Sequence, residues 1–114
     1  LFCKNINKDK WKALILNTLK EFNLEYMLTL SLKSLSGGEL QLLALVRGIL
    51  IHPDILFYDE PTNNLDNDNI ETIIKMINKF YMKGSSIIIV SHDDILISKL
   101  KHNEISMKEG VVSS

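Results

Sequence analysis

Apolar residues recur three or four positions apart at Trp11, Leu14, Ile15, Leu19 and Phe22. With Thr18 among them, that spacing predicts one face of a helix from Asp9 to Phe22. The stretch Asn23 to Lys33 is less regular and reads as a short helix followed by a loop. Small residues from Ser34 to Gly38 break the pattern. Glu39 to Ile51 is strongly apolar, which predicts a helix buried on most sides, and Pro53 stops it. Ile55 to Tyr58 is a short continuous apolar run ending in Asp59-Glu60-Pro61. It predicts a buried parallel strand with acidic residues at its carboxyl end.

Asn63, Asn64 and Asp66 form a turn-rich stretch, and either Asp66 or Asn67 can cap the next helix, Asp68 to Met82. Ile70, Ile73, Ile74, Ile77 and Phe80 share one face of it, and Gly84 ends it. Ile87-Ile88-Ile89-Val90, after Ser86, predicts a second buried strand, with Ser91-His92-Asp93 at its carboxyl end. Asp94 to Leu100 reads as a short helix. Glu104 to Met107 and Val111 to Ser113 read as two short strands around Glu109-Gly110. Strands alternating with helices predict an α/β fold with a parallel sheet flanked by helices. Ligands of such sheets gather beyond the carboxyl ends of the strands. Both polar clusters, Asp59-Glu60 and Ser91-His92, fall there.

Composition changes this picture little. Of the 114 residues 46% are hydrophobic, and the net charge of -1 gives no charge-driven route to nucleic acid or a membrane surface. Cys3 is the only cysteine, so an internal disulfide or a cysteine metal cluster is excluded. No apolar run approaches the roughly 18 residues of a membrane span, and no signal-peptide pattern is visible. The chain begins with Leu1 rather than Met, and the expectation is a fragment of a longer product.

Three clusters carry candidate chemistry. Leu35-Ser36-Gly37-Gly38-Glu39 places a serine and two glycines directly before a helix, where free backbone N–H groups and the helix dipole favour a phosphate. It also reads as an ordinary helix cap. Ile55 to Glu60 delivers two adjacent carboxylates from an apolar strand. Such an Asp holds Mg2+ in P-loop NTPases, and a neighbouring Glu can act as general base. It also reads as a strand end facing water. His92 could contact a phosphate and the attacking water, or serve the fold alone.

The conjunction of these pieces in one order, with Pro61-Thr62-Asn63-Asn64-Leu65-Asp66 between them, resembles the ABC (ATP-binding cassette) ATPase family. Leu35 to Glu39 is similar to its signature motif LSGGQ. Ile55 to Glu60 is similar to the Walker B strand, Asn64-Leu65-Asp66 to the D-loop, and His92 to the switch histidine. The resemblance runs from Trp11 onward. It implies part of a P-loop NTPase core of the ABC type, with residues 1–36 as the rear of a helical subdomain leading into the signature motif. Residues 37–114 would be the C-terminal part of the ATPase core.

The resemblance also implies roles. ATP and Mg2+ would be bound in a head-to-tail dimer of two cassettes, attached to a transmembrane permease on the cytoplasmic face of the cell membrane. Ser36, Gly37, Gly38 and Glu39 would meet the ATP held by the partner cassette. Asp59 would hold Mg2+, Glu60 would be the catalytic base, Asp66 would couple the two sites, and His92 would steady the transferred phosphoryl group.

Several residues depart from the family pattern. No G-x-x-x-x-G-K-[ST] loop occurs among Gly37, Gly38, Gly48, Gly84 and Gly110, so the chain alone is expected to be inactive. Glu39 stands where the signature usually has Gln. Leu40 and Leu42 stand where many relatives carry polar or basic residues. Asn63-Asn64 stands for the commoner Ser-Ala.

Four readings follow: an ATPase subunit or domain of a transporter, a soluble ABC-F-type ATPase acting on the ribosome, a chromosome-maintenance or DNA-repair ATPase, and a fragment without turnover. The third needs long coiled coils, which this sequence does not contain. Without the upstream strands, Leu43, Leu45, Ile49 and Ile88 are expected to lack partners and to make the isolated chain prone to association.

Overall fold

The computed structural model describes residues 7–113. The expectations for residues 1–6 and 114 lie outside that range. Helix α1 spans Lys8–Glu21, with the Asn7 side chain accepting from the Asp9 N–H at its start. Two 3-10 turns follow, Glu25–Thr29 and Leu32–Ser34. Helix α2 is Gly37–Ile51, strand β1 Ile55–Asp59, helix α3 Asn67–Met82 and strand β2 Ser86–Val90. A short helix α4, Asp94–Lys99, leads to the hairpin strands β3, Ser106–Lys108, and β4, Val111–Ser113.

Strands β1 and β2 pair in parallel, from Ile55 opposite Ser86 to Asp59 opposite Val90. Helix α3 is the crossover between them, as a parallel pair requires. The β3–β4 hairpin forms a separate antiparallel pair around Glu109 and Gly110, both at positive φ. The α/β class and the parallel pairing agree with the reading of the sequence.

The core lies between the helices and one face of the parallel pair. Leu19 of α1 with Phe22 at its C-terminal cap, Leu42, Leu45, Val46 and Ile49 of α2, and Ile73, Met76, Ile77 and Phe80 of α3 are buried together, with Leu96 of α4. Leu56, Tyr58, Ile87 and Ile89 pack against this cluster from the sheet.

Two expectations about burial are corrected. Leu45 and Ile49 do not lack partners. They are 2% and 4% exposed, because α2 packs against both α1 and α3. The strands, expected to be buried, are covered on one face only. Ile55, Phe57, Ile88 and Val90 point the other way and are exposed, Phe57 at 71%. Alternation along a strand sends successive side chains to opposite faces, and among the described residues no element lies over the second face.

Helix α2 also starts two residues earlier than expected. Ser36 and Glu39 form a reciprocal capping box: the Ser36 hydroxyl accepts from the Glu39 N–H at 3.1 Å, and the Glu39 carboxylate accepts from the Ser36 N–H at 2.8 Å. That pair draws Gly37 and Gly38 into the first helical turn. At its far end His52, at φ 48°, forms the left-handed cap ahead of Pro53.

Candidate active site

The turn after β1 carries the first carboxylate of interest. Glu60 has φ 48°, a left-handed conformation that costs a residue with a Cβ about 1 kcal/mol. Its N–H donates to the Val90 carbonyl at 2.8 Å, extending the β1–β2 pairing by one bond. Its carbonyl accepts from the Asn63 N–H at 3.1 Å and from the Gln41 side chain at 3.0 Å. Gln41 donates to the Pro61 carbonyl as well. The backbone at Glu60 is therefore fixed from the sheet, from its own turn and from α2.

The side chain is held equally closely. Glu60 Oε1 lies 3.3 Å from His92 Nε2, and Glu60 Oε2 accepts from the His92 N–H at 3.3 Å. Glu60 is 29% exposed and His92 95%. A carboxylate gripped at its base beside an almost free imidazole forms a pair with one fixed and one approachable partner.

Together with Thr62, Asn63, Asn64 and Asp93, these two residues line a cleft of about 560 Å³. Thr62 is a buried polar residue, 6% exposed. Its hydroxyl bonds to Asp93, and this bond holds the Asp93 carboxyl below the usual range, against the opposing effect of desolvation. The N–H groups of Leu96 and Ile95 act in the same direction as they cap α4 on the Asp93 carboxylate. Asp93 thus anchors the loop that carries His92.

Asp59 ends β1 with its side chain exposed, and among the described residues it makes no side-chain hydrogen bond. No group of three His, Cys, Asp or Glu side chains among them is placed to hold a metal ion. A single exposed carboxylate suits Mg2+, which keeps several waters and takes phosphate oxygens for other ligands.

The signature residues form a second group. Ser36 and Glu39 are engaged with each other, and the second oxygen of Glu39 accepts from the Tyr26 hydroxyl at 3.1 Å. These donors hold Glu39 below its ordinary pKa, the Ser36 N–H contributing most. Desolvation and the Glu39 carboxylate push the Tyr26 hydroxyl the other way.

The two glycines differ. A Cβ on Gly37 would meet nothing within 4 Å, whereas one on Gly38 would sit 2.6 Å from Leu65 Cδ2. Asp66, next to Leu65, caps α3 by accepting from the Asn69 N–H at 2.8 Å. The expected site residues therefore fall into two sets. Glu60 and His92 meet in the cleft, with Asp59 at the adjoining strand end. Ser36 to Glu39 stand at the start of α2, reached from Asp66 through Leu65 and Gly38.

The family model described as ABC transporter matches residues 3–63, more than half of the chain. The chain belongs to the ABC transporter family. The cassette is 31% identical over 106 residues to the cell division ATP-binding protein FtsE of Streptococcus pneumoniae, covering 93% of this chain and 46% of that protein. It is 38% identical over 101 residues to the lipoprotein-releasing system ATP-binding protein LolD of Buchnera aphidicola, covering 88% and 44%. The solved dimeric structure of a bacterial ABC transporter cassette superposes with a TM-score of 0.71 at 27% identity, covering 82% of this chain and 41% of that one. The chain thus spans under half the length of these relatives, and its fold is that part of an ABC-type P-loop NTPase.

Thr62, Gln41, Tyr26 and Asp93 were not singled out as site residues from the sequence. The one available signal was for Asp93, which stands beside His92. Gln41 and Tyr26 reach their partners across 19 and 13 residues, distances at which no local pattern points to them.

Proposed function

We infer that the complete protein is the ATP-hydrolysing subunit or domain of an ABC transporter, working as a head-to-tail pair of cassettes on the cytoplasmic face of a membrane. One observation carries the reading: Glu60 and His92 converge within 3.3 Å at the carboxyl ends of β1 and β2, in a chain of this family. Residues 1–36 form the rear of the helical subdomain and 37–114 the C-terminal part of the ATPase core. No helix among the described residues is long and apolar enough to cross a membrane, so the membrane passage falls to a permease partner or domain.

ATP is the substrate. Asp59 would hold Mg2+, which would supply charge compensation for the phosphates. Glu60 accepts the proton of the attacking water, and its doubly anchored backbone holds the carboxylate ready before substrate arrives. His92, hydrogen-bonded to Glu60 by its main chain and with its exposed ring beside the same carboxylate, steadies the γ-phosphoryl group. At the start of α2, Ser36 and the open N–H of Gly37 receive the γ-phosphate of ATP bound by the partner cassette. Glu39, engaged with Ser36 and Tyr26, keeps that turn in shape. Asp66 fixes the α3 cap next to the turn against which Gly38 packs, and so links the two sites.

Relatives named for lipoprotein release favour a transport role over the soluble ribosome-acting alternative. This chain alone, without a Walker A loop, does not turn over ATP. The test is ATP hydrolysis by the complete polypeptide beside a Glu60→Gln variant. Loss of a general base lowers turnover by roughly a hundredfold to ten-thousandfold. A complete protein inactive with ATP and Mg2+, or a variant as fast as the parent, overturns the reading.

A further inference from the structure

Helix α2 carries two things within one turn of each other. Its N-terminus presents Ser36, Gly37 and Gly38, and the next turn presents Gln41. The half-buried Gln41 amide donates to two successive main-chain carbonyls, those of Glu60 and Pro61. Those carbonyls belong to the turn in which Glu60 adopts φ 48°. A strained turn persists only where its surroundings hold it, and Gln41 is the contribution from outside the sheet and the turn itself. Gly38 marks a second close approach of the same helix to the same segment, since Leu65 Cδ2 stands 2.6 Å from where a Cβ on Gly38 would lie. The first two turns of α2 and residues 60–65 are thereby joined at two points, one polar and one apolar.

We propose that Gln41 is a positioning residue that ties the phosphate-receiving end of α2 to the backbone of Glu60, so that the chain's two half-sites move as one body. This rests on the function proposed above, in which Ser36 to Gly38 serve the partner's nucleotide and Glu60 serves the chain's own. Engagement of the partner's phosphate at the start of α2 then sets the position of Glu60 directly, through one side chain. A rigid tie of this kind is a physical route for coupling between the two sites, since both bias the placement of a single element.

The test uses the complete polypeptide with two substitutions. Gln41→Met keeps length and bulk and removes both N–H donors, leaving the Glu60 carbonyl with the Asn63 N–H alone and the Pro61 carbonyl without its side-chain donor. Gln41→Arg restores donors. Hydrogen–deuterium exchange of residues 60–65 reports the turn without any need for turnover, because the Asn63 and Leu65 amides are bonded within it. With Gln41→Met, exchange there rises about tenfold while the rest of the protein is unchanged. At the same time kcat falls roughly tenfold to a hundredfold with KM for ATP within about twofold, the pattern of a misplaced catalytic group. Gln41→Arg returns both values towards the parent. Unchanged exchange in Gln41→Met overturns the proposal. So does a loss of kcat accompanied by a general rise in exchange and not recovered by Gln41→Arg. If the parent protein fails to hydrolyse ATP, the function proposed above falls, while the exchange measurement still decides whether Gln41 holds the turn.

Discussion

Gly37 and Gly38 are adjacent and identical in type, and the structure gives them opposite sensitivities. A methyl group on Gly37 enters open space. In the first turn of α2 it gains helix propensity, up to about 1 kcal/mol for Gly to Ala. A methyl group on Gly38 gains the same propensity and meets Leu65 Cδ2 at 2.6 Å, about 1 Å inside a favourable carbon–carbon separation. Leu65 is half-buried and its Cδ2 is the end of a flexible side chain, so it rotates away at a cost of about 0.5–1.5 kcal/mol. The next atoms, at 3.8 Å, are in ordinary contact. The two variants should therefore differ by about 1 kcal/mol, Gly38→Ala being the less stable. For a cassette about twice this length, that is a difference of roughly 2–4 °C in Tm.

Function should reverse the order of severity relative to stability. Under the proposed function a phosphate approaches the α2 N–H groups where the Gly37 methyl would stand, so Gly37→Ala should lose ATP-driven pairing of cassettes while matching or exceeding the parent in Tm. Calorimetry and size-exclusion chromatography with ATP, both on the complete Glu60→Gln protein to prevent turnover, read the two quantities. Equal Tm losses in the two variants would refute the packing argument, and normal pairing by Gly37→Ala would refute the assignment of the α2 N-terminus to a phosphate.

Three further outcomes are expected. The Glu39 carboxyl has a folded-state pKa below its unfolded value, so the stability it contributes is present above the unfolded pKa and lost as pH falls through the folded one. Tyr26→Phe removes one donor to that carboxylate, raises the Glu39 pKa towards the ordinary range, and moves the acid loss of stability to higher pH, as urea midpoints across an acid series will show. Asp66→Ala removes the α3 cap and should lower stability by about 1 kcal/mol, with Asp66→Asn largely retaining it. Phe57→Lys should reduce association of the isolated chain, measured by light scattering, because it places a charge in the middle of the uncovered sheet face.

Helices α1, α3 and α4 were legible to within a residue or so, because their apolar stripes and caps are local signals. The parallel pairing was legible from two short apolar runs separated by a helix. The start of helix α2 is hidden in the sequence because adjacent glycines read as breakers, although Ser36 and Glu39 stand at capping-box spacing. One-sided strand burial is not legible because Ile87-Ile88-Ile89-Val90 reads the same whether one face or both are covered. The pairing of Glu60 with His92 could be anticipated only from the resemblance, since 32 residues separate them. The grip of Gln41 on the Glu60 turn and the bond from Thr62 to Asp93 depend on how α2 and α4 dock against the strand ends, and no periodicity encodes that.

The left-handed backbone of Glu60 has a consequence for how such sites decay. Glycine relieves the strain at that position at once, and asparagine or aspartate tolerates it better than glutamate does. If Glu60 is the proton acceptor proposed above, replacing it by glycine or asparagine removes that acceptor while easing the backbone, and selection for stability alone can favour the loss. In a machine with two sites, one of them can fall silent by drift while its domain continues to fold, bind and support the other.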